Sequence, residues 1–351
     1  MTMINRLPFN VNLDTVEILK LLNLANNSIG ELKGVMNLLP NPEIILSLIS
    51  VGESKDSSAI ENIITTYEDI FKELITKKEI SKPSKEVNSY RSAIDQGNKE
   101  LKENGFISLN MIIRIQEQIE PNKGGIRRIP GTVIKNTETD EIVYNPPQSE
   151  LEIKDLLGNL ETYINQDNQY DPLIQLALIH FQFESIHPFY DGNGRTGRIL
   201  NILYLVLKKK IDQPILYLSK YIINNKNEYY NLLRVCNEDI SNIPHFVSYI
   251  LKGIEETSKN TTMTVLRINE LIFQTRDMMK LLLPEIYSDA IITHLFSFLY
   301  TKNEFFREQL HISRPTATKY LKELERKGFL VSEKIGKEVV YKNIQLMNIF
   351  N

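Results

Sequence analysis

The strongest constraint on this chain is a polar loop caught between two apolar runs. Leu173-Ile-Gln-Leu-Ala-Leu-Ile-His-Phe-Gln-Phe183 precedes it and Ile199-Leu-Asn-Ile-Leu-Tyr-Leu-Val-Leu207 follows it. Between them stands His187-Pro-Phe-Tyr-Asp191-Gly192-Asn193-Gly194-Arg195-Thr-Gly-Arg198. Both runs read as buried helices, and the chain is expected to be mainly α. One histidine, one carboxylate, three glycines and two arginines in a single loop suggest chemistry on a phosphate.

The residue types support that reading one by one. Gly192-Asn-Gly-Arg-Thr-Gly197 satisfies G-x-G-x-x-G, but a dinucleotide fingerprint needs a strand before it and here a helix precedes. The glycines keep another meaning. Small residues at a helix start leave backbone N–H groups free for an anion, which the helix dipole also favours. Arg195 and Arg198 lie three apart on the first turn and can reach polyphosphate oxygens. Asp191 can hold Mg2+, which takes one or two carboxylates and completes its shell with phosphate and water. His187 suits a general base. The bland alternative is a histidine ending a helix, followed by a turn with two solvated arginines.

The rest of the chain reads as helix after helix. Asp14 to about Gly34 carries a broad apolar face, and Asn41 is placed to cap a short helix from Glu43 to about Ser50. Asp56 or Ser57 is then expected to cap a helix over about 56–75, with Ile60, Ile63, Ile64, Tyr67, Phe71 and Leu74 at helical spacing. On it Ser57 and Glu61 would share one face. Helices are expected at 84–104, 108–119, 149–164 and 245–280, and another begins at Tyr229. The pattern breaks at 126–147, where Thr132–Thr137 and Glu141–Tyr144 flank Thr137-Glu-Thr-Asp140 as a hairpin. From Ser288 onward, three short helices and a hairpin form a winged helix-turn-helix pattern. Residues 302–342 hold ten Lys/Arg and six Glu.

Composition excludes little else. Of 351 residues 42% are hydrophobic and 24% charged, ordinary for a globular protein of two or three domains. The lone Cys236 excludes an intrachain disulfide and fits a reducing compartment. No apolar stretch reaches the roughly 18 residues that span a bilayer, so no membrane partner and a cytoplasmic location are expected.

Residues 187–198 match every fixed position of the Fic family signature, H-P-F-x-[DE]-G-N-[GK]-R-x-x-R. The resemblance extends over about 5–250. It implies a mainly α Fic core with a β-hairpin flap, an N-terminal helical region and, in this chain, a C-terminal winged helix-turn-helix domain. It implies transfer of AMP from ATP to a hydroxyl side chain (Tyr, Thr or Ser) of a target protein or of the chain itself. His187 would deprotonate the hydroxyl and Asp191 would position Mg2+. Gly192, Asn193 and Gly194 would form the anion hole, Asn193 also touching the α-phosphate. Arg195 and Arg198 would bind the β- and γ-phosphates.

Three further features follow from the resemblance. The hairpin at 126–147 resembles the family's flap, on which a target segment would pair. Tyr229, Leu233 and Asn237, at spacings of four, resemble the adenine-pocket helix, although such spacing also describes ordinary core. Ser57-Ser-Ala-Ile-Glu61-Asn62 matches the inhibitory motif [ST]-x-x-x-E-[GN], so Glu61 would pair with Arg198 in the place of the γ-phosphate. Glu61 could instead orient a water that removes AMP from a modified target.

The expected domains are 1–104 with the inhibitory helix, a catalytic core at 105–252, a helical linker at 253–284 and the winged helix at 285–351. For the last, Arg314, Thr316, Thr318, Lys319 and Lys322 would face a DNA major groove; a protein partner and a homodimer stay open.

Overall fold

The computed structural model describes residues 4–37, 39, 42–70, 81–135, 142–335 and 337–350. Asn41, residues 71–75 of the expected 56–75 helix and the hairpin tip Thr137–Asp140 lie outside these; residues 61–66 are described and are not helical. The chain is mainly helical and packs as two compact units interleaved in sequence. One comprises the chain through Lys33, Glu53–Ile64 and Glu86–Asn260; the other comprises Gly34–Gly52, Thr65–Lys85 and the chain from Thr261. The grouping of 34–52 and 65–85 with the C-terminal segment departs from the consecutive domains expected.

In the first unit α1 (Val16–Asn37), α2 (Pro42–Ile60), α3 (Lys82–Asn104) and α4 (Leu109–Ile119) come first, α1, α2 and α3 contributing only in part. The flap follows as β1 (Ile134–Lys135) and β2 (Ile142–Tyr144), paired antiparallel with Ile134 opposite Tyr144. Then come α5 (Glu150–Asn165), α6 (Pro172–Ile186), α7 (Asn193–Leu207), α8 (Ser219–Asn224), α9 (Lys226–Glu238) and the start of α10 (Ile243–Leu282).

The centre is α6, in which every residue from Leu173 to Ile186 is buried. Its sequence explains both its start and its position. Asp171 caps it by accepting the Leu173 N–H at 2.8 Å, and Pro172 supplies a fixed φ in the first turn. A helix apolar on all sides must sit inside a domain. Antiparallel α7 packs along it and brings the polar loop between them into the core.

In the second unit α11 (Asp289–Ser297), β3 (Tyr300–Lys302), α12 (Asn303–Leu310), α13 (Arg314–Arg326), β4 (Val331–Ile335) and β5 (Glu338–Lys342) build the winged helix. Its sheet has the order β3-β5-β4, all antiparallel. Ser313 caps α13 through the Thr316 N–H at 3.3 Å, and Ala317, Leu321 and Leu324 form its buried face. Strand β3 and the last helix, α14 (Ile344–Phe350), carry no period long enough to read from sequence.

The segment Ser57–Asn62 is not at a helix start. A single helix, α2, runs unbroken from Pro42 to Ile60 and places Ser57 in its last turn, so Ser57 is no N-cap. Its side chain is engaged elsewhere, as described next.

Candidate active site

The catalytic loop is a helix-to-helix turn built from left-handed residues. His187 ends α6 at φ 47°, and Gly192 precedes α7 at φ 78°. A histidine at positive φ is uncommon and must be held by its surroundings. Asn193 does part of this. Its Oδ1 accepts the Phe189 N–H at 2.8 Å and its Nδ2 donates to the Phe189 carbonyl at 2.9 Å. The amide is therefore buried and tied to the loop by its oxygen and one of its two N–H donors, which holds Asn193 in place at the start of α7.

The three glycines serve three different needs. Gly192 takes the left-handed conformation. At Gly197 a Cβ would stand 2.6 Å from Glu184 Oε1, so this glycine permits close packing of α7 on α6. At Gly194 a Cβ would stand 2.6 Å from Glu61 Oε1 and 2.9 Å from Arg198 Nη1. The first turn of α7 is thus a bare floor with a carboxylate resting on it. No side chain caps this helix, so its first N–H groups have no intrahelical acceptor.

Arg198, 3% exposed, is surrounded by the motif on α2. Its Nε donates to Ser57 Oγ at 2.8 Å; its Nη2 donates to the Ser57 carbonyl at 2.9 Å and to Glu61 Oε1 at 3.1 Å. Burial would lower the guanidinium pKa, but Glu61 foremost, with Tyr90, Glu184 and Tyr229, holds it above its ordinary value. Asn62 follows at φ 62°, a conformation open mainly to glycine and asparagine, which accounts for [GN] in the motif.

Arg195 is committed differently. Its Nη2 donates to Glu120 at 2.6 Å and lies 3.5 Å from Asp191, and its Nη1 donates to Glu86 at 3.2 Å. Asp191 also pairs with Lys123 at 2.5 Å and accepts the Gly192 N–H at 2.8 Å. Burial tends to raise the Asp191 pKa, but Lys123, the Gly192 N–H and Arg195 hold it below the ordinary value. Among the described residues no three His, Cys, Asp or Glu groups cluster as a metal cage. A single part-exposed carboxylate still fits Mg2+ that takes its other ligands from phosphate and water.

On α9, the expected adenine helix, the three residues have different surroundings. The Tyr229 hydroxyl lies 3.0 Å from His180 Nε2, and its ring packs against Tyr230, Phe246 and Tyr249. Leu233 is buried, and Asn237 lines a separate crevice with Phe9, Tyr144 and Phe181. Tyr229 is therefore core here, held by a histidine whose other nitrogen meets Asn201. His180 is buried and neutral, its pKa pushed by burial down to about 3.

Burial and the nearby Arg127 charge lower the His187 pKa to about 4, against the opposing effects of Glu61, the Glu184 backbone and Asp191. Its imidazole is consequently neutral at neutral pH and can accept a proton.

Three family models match in chain order: Fic/DOC family N-terminal over residues 19–99, Fic/DOC family over 106–205, and the Protein adenylyltransferase SoFic-like C-terminal domain over 271–346. The chain belongs to the Fic/DOC family. Protein adenylyltransferase Fic of Aedes aegypti is 29% identical over 157 residues, which are 44% of this chain and 29% of that protein. Protein adenylyltransferase fic-1 of Caenorhabditis elegans is 26% identical over 156 residues, 44% of this chain and 28% of that protein. The chain thus matches less than a third of these relatives' length. Among solved structures, a Fic family protein from Desulfovibrio desulfuricans G20 has a TM-score of 0.59 at 18% identity, covering 94% of this chain and 96% of that one. Fic-1 (residues 134–508) of C. elegans has a TM-score of 0.56 at 20% identity, covering 72% and 74%. These likenesses show the fold.

Lys123, Glu86 and Glu120 were not singled out from sequence, nor were Glu53 and Tyr90. Glu53 is buried one turn before Ser57 and accepts hydrogen bonds from Tyr90 at 2.9 Å and Ser219 at 2.5 Å. These partners lie tens of residues apart, and no spacing rule links them.

Proposed function

We propose that this chain is an autoinhibited protein adenylyltransferase, which moves AMP from ATP to a hydroxyl of a protein. The observation that carries the reading is the Glu61 carboxylate over Gly194, on the uncapped start of α7 and against Arg198. A carboxylate held there stands in for a phosphate, since helix N–H groups and an arginine both favour an anion.

In the reaction the neutral His187 takes the proton of the acceptor hydroxyl. The oxygen forms a bond to the α-phosphorus, the bond to the bridging oxygen of the β-phosphate breaks, and pyrophosphate leaves. Backbone N–H groups at the start of α7 bind the charge that develops on the phosphate. Arg198, once released from Glu61, binds the terminal phosphates. Arg195 and Lys123 keep Asp191 ionised for Mg2+, which would neutralise phosphate charge. The flap's open strand edges suit main-chain pairing with an acceptor segment.

Labelled ATP and Mg2+ should give weak self-labelling that rises on Glu61→Gly and disappears on His187→Ala. Equal labelling of the three proteins would exclude the reading. With AMP-modified product, the Glu61-assisted reversal would instead appear as AMP release that Glu61→Gly abolishes.

A second reading concerns the winged helix, and the distribution of its charges favours it. Glu304 and Glu338 both pair with Lys302, Glu323 pairs with Arg326, and Glu333 pairs with Lys342. Arg307, Arg314, Lys319, Lys322, Lys334 and Lys337 are exposed and form no ion pair among the described residues. Arg307, Arg314, Lys322 and Lys337 line one cleft of about 510 Å³ between α13 and the β4–β5 turn. A duplex DNA phosphate backbone fits a surface on which four of the six glutamates are paired internally and these six cations are not. A gel-shift titration in rising salt tests this; binding insensitive to salt would exclude it.

A further inference from the structure

The flap begins with an arginine that has no part in the signature. Arg127 is 1% exposed, and among the described residues it forms no ion pair. A buried guanidinium without a carboxylate is unusual. Its partners are backbone carbonyls instead. Nε donates to the His187 carbonyl at 2.8 Å, and Nη2 donates to the Ile186 carbonyl at 3.3 Å and to the Pro147 carbonyl. Nη1 is buried without a partner.

Two of these carbonyls belong to the end of α6, where carbonyls lack intrahelical donors and a cation complements the helix dipole. The third belongs to the far leg of the flap. The near leg is fastened to the same loop: Ile126 bridges Phe189, the Arg127 N–H donates to the Pro188 carbonyl at 2.9 Å, and the Arg128 N–H donates to Tyr190 Oη at 2.8 Å. One guanidinium therefore joins both flap legs to the residue whose backbone is left-handed.

We propose that Arg127 is a positioning residue that sets the His187 peptide and ties the flap to it, so that the flap-borne acceptor hydroxyl and its base keep one separation. The role rests on the adenylyl-transfer reading of the loop. It differs from capping alone, because a cap would need only the α6 carbonyls and not Pro147.

The test uses the full chain with Glu61→Gly as parent, and Arg127→Lys and Arg127→Met within it. In Arg127→Met, affinity for a non-hydrolysable ATP analogue should stay within about twofold while the transfer rate falls roughly ten- to a hundredfold, as for a misplaced reacting group. Arg127→Lys should recover part of the rate. The acid limb of the pH–rate profile should also move up in Arg127→Met. The Arg127 charge then no longer opposes protonation of His187, which Glu61, Asp191 and the Glu184 backbone favour in the native chain. Amide hydrogen exchange should quicken together at 189–190 and along 126–135 and 148–150. Unchanged exchange at 189–190, or analogue affinity falling in step with rate, would overturn the proposal. If the parent transfers no AMP, the adenylyl-transfer reading fails, and the exchange comparison still decides the role of Arg127. If Arg127→Met does not fold, Arg127→Lys carries the same comparison.

Discussion

The catalytic loop and the winged helix treat charge in opposite ways. In and beside the loop the arginines are buried and every one has acceptors: Arg198 has Ser57 and Glu61, Arg195 has Glu86 and Glu120, and the flap's Arg127 has three carbonyls. In the winged helix most glutamates are drawn into internal pairs, and six exposed cations form no ion pair among the described residues. Burial makes a loop charge expensive to strip of its partner, which suits a switch. Exposure makes the winged-helix charges weak singly and effective together, which suits a long anion.

The largest expected effect falls on the loop. His187→Ala should lower transfer by about 10²- to 10⁴-fold with little change in ATP affinity. Retained transfer would remove the histidine from the chemistry. Next comes the buried pair: Glu61→Gly should raise self-labelling roughly tenfold or more, since a charged hydrogen bond of about 1.5–3 kcal/mol no longer competes for Arg198. Ser57→Ala should act in the same direction by a few-fold, because Nε loses its acceptor while Glu61 remains. If Ser57→Ala matched Glu61→Gly, the hold on Arg198 would lie in the serine.

The winged helix should respond in smaller steps. Arg314→Ala and Lys322→Ala should each reduce the slope of log affinity against log salt for duplex DNA by about 1. An effect on one DNA sequence alone would turn a backbone contact into base reading.

The smallest effect is on stability. Burial raises the Glu53 pKa to about 7, with the Ser219 and Tyr90 hydrogen bonds and Arg198 opposing. A carboxyl raised on folding favours the native state fully below its unfolded value of 4.5 and loses that contribution as pH climbs to 7. Glu53→Gln should flatten this decline, by on the order of 1–2 kcal/mol between pH 5 and 8. Thermal unfolding at the two pH values measures it; parallel curves would show that the group does not titrate in that window.

Legibility from sequence followed range. Helices α3 to α7 and α13 could be read, because apolar period, caps and glycines are local signals. The boundary error at Ser57 has a local cause too. Ser57 is a good capping residue, and nothing nearby shows that the preceding segment from Pro42 continues as helix to Ile60. Tyr229 shows the reverse limit, since spacing could not say whether its ring faced a pocket or His180. The roles of Lys123, Glu120 and Arg127 had no local signal at all.

The sequence by itself determined the loop's composition, the Ser57–Asn62 motif and the two helices that bury the loop, since each is written in adjacent residues. Only the tertiary structure decided that the Asn193 amide serves the loop and that Arg195 is already paired. It alone brought Glu61 onto Gly194, because that contact depends on how distant helices pack and no residue's neighbours in the chain carry the information.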